Sequence, residues 1–132
     1  GLTNVLTKQS QLVQAIQETK VYNLYVLTSG PIPPNPAELL SSNQMSKLLK
    51  DMKNEFDIIL FDTPPILAVA DAQILANQVD GSVLVINSGK TDKEAAFKAK
   101  ELLANSKSKL LGAVLNNRKV EGSGYYYYYG SN

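Results

Sequence analysis

Short apolar runs alternate along the chain with longer stretches in which apolar residues recur every three or four positions. Leu24-Tyr25-Val26-Leu27, Ile58-Ile59-Leu60-Phe61, Val83-Leu84-Val85-Ile86 and the run from Leu110 to Leu115 predict four strands. Three of these runs are apolar at consecutive positions, the pattern of strands covered on both faces. A helix after the first run is announced by Asn35-Pro36-Ala37-Glu38, with an N-cap, a proline at the first helical position and a glutamate at the third. Leu39, Leu40, Leu48, Leu49 and Met52 then follow at helical spacing. A second helix is expected from Asp71 to about Gln78, and a third from Asp92 to about Ser106, opened by a Thr91-x-x-Glu94 capping box. A short helix around Ser10 to Gln17 precedes the first strand. This grammar predicts an α/β fold, a mostly parallel sheet with flanking helices and right-handed crossovers. The expected organisation is one unit over residues 1–119, followed by a flexible tyrosine-rich tail over 120–132.

Composition narrows the chemistry. At 132 residues, 44% hydrophobic and 19% charged, the chain is long enough to build a core without a disulfide or metal staple. It contains neither cysteine nor histidine, which removes the usual zinc sites, thiol nucleophiles and histidine-based triads. The net charge of +1 hides an asymmetry: residues 1–89 carry five lysines against eight acids, and residues 90–132 carry eight Lys or Arg against four acids. The basic residues from Lys90 to Lys109 are spread along one helical stretch and do not form the dense basic stripe interleaved with stacking aromatics that a nucleic-acid binder usually shows, which argues against nucleic acid as a partner. No run approaches the length of a membrane span, and the N-terminal residues lack a secretory-signal profile. The absence of cysteine fits a cytoplasmic setting.

In parallel sheets chemistry gathers beyond the carboxyl ends of the strands. The second predicted strand runs into Phe61-Asp62-Thr63-Pro64-Pro65. A carboxylate directly after four bulky apolar residues is costly to desolvate unless it faces water or a cation. The two prolines hold the exit extended. Asp62 therefore has the form of a Walker B aspartate, which orients Mg²⁺ against nucleotide phosphates, and equally the form of a carboxylate capping a turn. Ser88-Gly89-Lys90-Thr91 imitates the end of a phosphate-binding loop, but position 84, where the motif's first glycine belongs, is a leucine inside a strand. It reads as a turn followed by a helix cap.

The segments Ser29 to Leu40 and Phe61 to Ala72, together with the run Tyr125 to Tyr129, resemble the bacterial tyrosine kinases of capsule and exopolysaccharide synthesis, in their separate cytosolic form. The Asp-Thr-Pro-Pro element alone is shared with the wider chromosome-partitioning and cell-division ATPases. The resemblance implies a P-loop NTPase-like fold in which the N-terminal P-loop strand and the second strand are absent from this chain. It thus implies the C-terminal part of a kinase domain, with little activity by itself. For the whole protein it implies ATP and Mg²⁺ as cofactors. Asp62 would serve as catalytic carboxylate and as metal holder, meeting Mg²⁺ through water. Asn116 and its neighbour Asn117 stand where related ATPases contact adenine, although an asparagine pair is also what a strand-to-loop exit looks like. The implied partners are a membrane-anchored activator, further copies in a ring-like homo-oligomer, a cognate tyrosine phosphatase and protein-tyrosine substrates. The implied location is the cytoplasm, associated with the membrane through the activator.

Half of the ten aromatic residues lie in the unbroken run Tyr125, Tyr126, Tyr127, Tyr128 and Tyr129, flanked by Gly-Ser-rich segments. Five adjacent aromatics can form a strand, but these have no apolar neighbour with which to pair. A flexible arm of phosphoacceptors fits better, each phosphate adding about −1.5 to −2 charge. Two classes of function therefore stand side by side: a kinase segment, and a non-enzymatic phosphoacceptor or interaction module. A partitioning-type ATPase is a third, which the tyrosine tail argues against.

Overall fold

The computed structural model describes residues 1–119. Its elements are helices α1 (Leu2–Leu6) and α2 (Leu12–Ala15), strands β1 (Gln17–Glu18) and β2 (Tyr25–Val26), helices α3 (Pro36–Leu40), α4 (Asn43–Glu55) and α5 (Asp71–Ala76), strand β3 (Gly81–Asn87), helix α6 (Lys93–Ala104) and strand β4 (Lys109–Asn116). The tail and its tyrosines, Tyr125 to Tyr129, lie outside the described residues.

Helix α4 organises the rest. Met45, Leu48, Leu49 and Met52 recur at helical spacing and are all buried, Met45 completely. Leu6, Leu40 and Leu75 join them from α1, α3 and α5. The expected single helix from Asn35 through Met52 is broken at Ser41-Ser42, because the Ser42 hydroxyl accepts the Met45 N–H (3.2 Å) and starts α4 afresh. Asn35 is the N-cap of α3, as expected, with Pro36 at the first position, but its side chain donates to Glu38 Oε2 (2.7 Å) and makes no cap bond. Helix α6 is capped by Asp92, whose carboxylate accepts the Ala95 N–H (2.7 Å), in place of the expected Thr91.

The third and fourth predicted strands form as expected. β3 and β4 pair in parallel, from Gly81↔Lys109 to Asn87↔Asn116, with one irregularity between Ser82 and Val83. Helix α6 connects them. The first two differ from expectation. The run from Leu24 to Leu27 yields only β2, paired antiparallel with β1, and Gln17 therefore belongs to a strand and not to the end of a helix. A tight turn explains this: the Thr19 N–H donates to the Leu24 carbonyl (3.1 Å), the Leu24 N–H to the Val21 carbonyl (3.1 Å), and Asn23 adopts φ 59°. The chain thus folds back on its nearest neighbour, and the Tyr25 ring meets Phe56 edge-on at 5.5 Å.

The run Ile58 to Phe61 forms no ladder at all. No backbone hydrogen bond involves residues 57–64 among those described. Ile59 and Phe61 pack against the α4 core, whereas Ile58 and Leu60 are 78% and 89% exposed. Facing this segment, β3 is bonded only to β4 and leaves its other edge open. Between them lies a cleft of about 900 Å³, with Ile59 to Asp62 along one wall and Gly81 to Val85 along the other. The faces expected to be covered are open: Val83 and Val85 are 52% and 61% exposed.

Two outcomes test this packing. Met45→Ala is expected to lower stability by about 2–5 kcal/mol, read as a fall in urea midpoint at unchanged slope. The isolated chain is expected to associate as concentration rises in sedimentation velocity, because an unpaired edge and apolar cleft invite pairing. Leu60→Lys combined with Val85→Lys should reduce that association; a single monomeric species throughout would contradict the open-edge description.

Candidate functional site

The carboxyl ends of the extended segments carry the candidate residues. Asp62 follows Phe61, whose ring is held in the α4 core, so burial of one side chain positions its exposed neighbour. The exit loop is secured further on. The Ala68 N–H closes a turn onto the Pro65 carbonyl (2.9 Å), and Gln73 Nε2 donates from α5 to the Ile66 carbonyl (3.2 Å). Gln73 escaped sequence reasoning, since a glutamine on a helix carries no motif. The Asp62 carboxylate makes no side-chain hydrogen bond or ion pair among the described residues, and it lines the cleft. A turn-capping role for this carboxylate is therefore not what the geometry shows.

Asn116 ends β4 beside the end of β3, and Asn117 follows it. The Ser88 N–H donates to the Asn116 carbonyl (2.8 Å), extending the parallel pairing. Asn117 sits in the left-handed region at φ 55°, and its N–H donates to Asn116 Oδ1 (2.9 Å). Its Nδ2 donates to Asn87 Oδ1 (3.1 Å). The structure thus brings Asn87, Asn116 and Asn117 together; Asp62 stands apart from them, on the cleft that the asparagines do not line. Asn87 was missed in the sequence, where its signal is a polar residue closing an otherwise apolar strand.

The Gly-Lys-Thr segment behaves as a turn. The Lys90 and Thr91 N–H groups both donate to the Asn87 carbonyl (3.2 and 2.9 Å), and Thr91 Oγ1 accepts the Asn87 N–H (3.2 Å). Gly89 takes φ 74° at the tight point, a conformation that costs glycine little. Donors needed to cradle phosphate are turned inward.

The residues fit part of a nucleotide site. No group of three or more acidic, histidine or cysteine residues could cage a metal among the described residues. Asp62 alone suits Mg²⁺, which keeps several waters and takes few carboxylates. Asn116 is exposed at the strand end, and its side-chain NH₂ makes no hydrogen bond among the described residues. The phosphate cradle is the part these residues do not supply. No helix among the described residues is long and apolar enough to cross a membrane.

Comparison with known proteins places the chain among named relatives. The chain is 61% identical over 131 residues to the tyrosine-protein kinase YwqD of Bacillus subtilis (strain 168), covering 99% of this chain and 55% of that protein. It is 45% identical over 132 residues to the tyrosine-protein kinase CpsD of Streptococcus agalactiae, covering 98% of this chain and 58% of that one. The chain thus spans little more than half the length of these curated relatives. Among solved structures, the VpsO kinase domain superposes with a TM-score of 0.84 at 35% identity, over 90% of this chain and 59% of that chain. Residues 1–105 match the AAA domain family. With its parallel β3–β4 pair, its Asp62 at the carboxyl edge and these matches, the chain belongs to the AAA domain family, and its relatives there are bacterial tyrosine-protein kinases.

Proposed function

We propose that the protein carrying this chain is an ATP-dependent protein-tyrosine kinase of capsule or exopolysaccharide synthesis that phosphorylates its own residues Tyr125 to Tyr129. One observation carries this reading. Asp62 stands on the cleft that borders the open edge of β3, where a strand added to that edge would bring its following loop within reach of the carboxylate. Phosphate loop and metal-orienting aspartate are neighbours of this kind in phosphoryl-transfer sites. Family membership implies nucleotide binding; ATP with Mg²⁺ is the form that suits a single exposed carboxylate. Bound there, the nucleotide supplies the phosphoryl group and the ion offsets its charge.

Asp62 would hold Mg²⁺ largely through water, and Asn116 would meet the base. Tyr125, Tyr126, Tyr127, Tyr128 and Tyr129 would accept phosphate from a neighbouring copy in a ring-like homo-oligomer. Accumulated phosphate charge would then favour dissociation. A membrane-anchored activator would complete the arrangement and bring the enzyme to the membrane, and a cognate phosphatase would reset the tail. Such chemistry depends on positioning and electrostatic stabilisation of the transferred group, so this segment without a phosphate cradle is expected to act as substrate and not as catalyst.

Two assays test the proposal. Incubated with ATP and Mg²⁺, the chain is expected to gain phosphate at Tyr125 to Tyr129, by mass spectrometry, only when a kinase-competent relative is added. Phosphate appearing without the relative would refute the role given to the cradle, and none appearing with it would refute the acceptor tail. In the full-length protein, Asp62→Asn should lower autophosphorylation at least about 100-fold, as removal of a transition-state charge partner does. Lys90→Ala should change ATP affinity by no more than about twofold, the scale expected of an exposed lysine outside the site; a large loss would reinstate the Gly-Lys-Thr turn as a phosphate loop.

A further inference from the structure

At the end of the parallel pair, Asn87 is the hub of a closed set of bonds. Its carbonyl accepts the Lys90 and Thr91 N–H groups, its N–H donates to Thr91 Oγ1, and its side-chain oxygen accepts from Asn117 Nδ2 at 3.1 Å. Asn117 is held at φ 55°, and from there its N–H reaches Asn116 Oδ1 at 2.9 Å. The chain of contacts runs from the β3–α6 turn through Asn87 and Asn117 to the amide of Asn116.

This chain has a chemical consequence. A primary amide can rotate to exchange its oxygen for its nitrogen, presenting donor and acceptor in either order. Asn116 cannot do so without losing the bond from the Asn117 N–H, since an NH₂ group cannot accept it. Its oxygen keeps a second lone pair, and its NH₂ keeps both hydrogens. Asn116 therefore offers one donor and one acceptor in a fixed order. Adenine presents the complement, a ring-nitrogen acceptor beside an amino donor, whereas guanine presents two acceptors on the corresponding edge.

We infer that Asn87 is a specificity-determining positioning residue: through Asn117 it locks the Asn116 amide in the orientation that matches adenine and disfavours guanine. Asn117 is a strut in this arrangement, and the base contact belongs to Asn116. The inference rests on the proposed nucleotide site, and its test separates the two.

The experiment uses the full-length protein and measures dissociation constants for ATP, GTP and tripolyphosphate. Asn87→Ala is expected to weaken ATP binding roughly fivefold, the scale of one hydrogen bond, while GTP and tripolyphosphate stay unchanged, so that discrimination between the purines falls by the same factor. Asn87→Asp keeps the acceptor oxygen and should retain most of the discrimination. Asn117→Ala should reproduce Asn87→Ala, and the double variant should add nothing. Without nucleotide, the side-chain amide resonances of Asn116 in ¹⁵N-edited NMR should shift in Asn87→Ala and remain in Asn87→Asp. Equal losses for ATP and GTP, or unchanged discrimination in Asn87→Ala, would overturn the positioning role. Failure of the unmodified protein to bind ATP more tightly than tripolyphosphate would instead overturn the nucleotide site itself.

Discussion

The buried stripe Met45, Leu48, Leu49 and Met52 of α4 is the contact on which the other parts depend. Around it gather α1, α3 and α5, and onto it fold Ile59 and Phe61 of a segment that has no ladder to hold it. Two apolar side chains thus do what a row of hydrogen bonds does for an ordinary strand. Close-packed interiors permit this, because a side chain in a filled core has few alternative positions. The carboxylate next to Phe61 inherits that position without being buried itself.

The anchoring is one-sided. Side chains at alternate positions of an extended segment face opposite ways, so seating Ile59 and Phe61 necessarily turns Ile58 and Leu60 outward. The open edge of β3 faces the same space, with Val83 and Val85 directed away from the interior. A sheet that is continuous in hydrophobic character is discontinuous in hydrogen bonding. The cleft follows from both facts, and so does its proposed use as the place where a strand brings a phosphate loop to Asp62.

At the carboxyl end of the β3–β4 pair the constraint is polar. Asn87, Asn116 and Asn117 satisfy one another where the parallel pair ends, and the Gly-Lys-Thr turn is folded against the same carbonyl. The turn's inward N–H groups and the fixed amide of Asn116 are two results of one network. A segment that looks like a phosphate loop in sequence serves to stiffen the end of the parallel pair.

Much of this was legible in the order of residues. Consecutive apolar positions marked β3 and β4, helical spacing marked α4, a capping signal marked α6, and Asp62 stood out because a carboxylate at the end of an apolar run needs water or a cation. The leucine at position 84 argues against a phosphate loop at Gly89-Lys90-Thr91. Those features depend on local periodicity and on single-residue chemistry, which a sequence carries by itself. Tertiary structure decided the rest. Whether Ile58 to Phe61 belongs to a ladder depends on a partner that no local pattern encodes. The run at Leu24 turned back into a hairpin because the turn at Asn23 brought Gln17 and Glu18 nearer than any distant strand. Asn87 acquired its role only when the parallel register set it against the exit of β4, since hydrogen bonds between residues thirty positions apart exist only once the chain has folded.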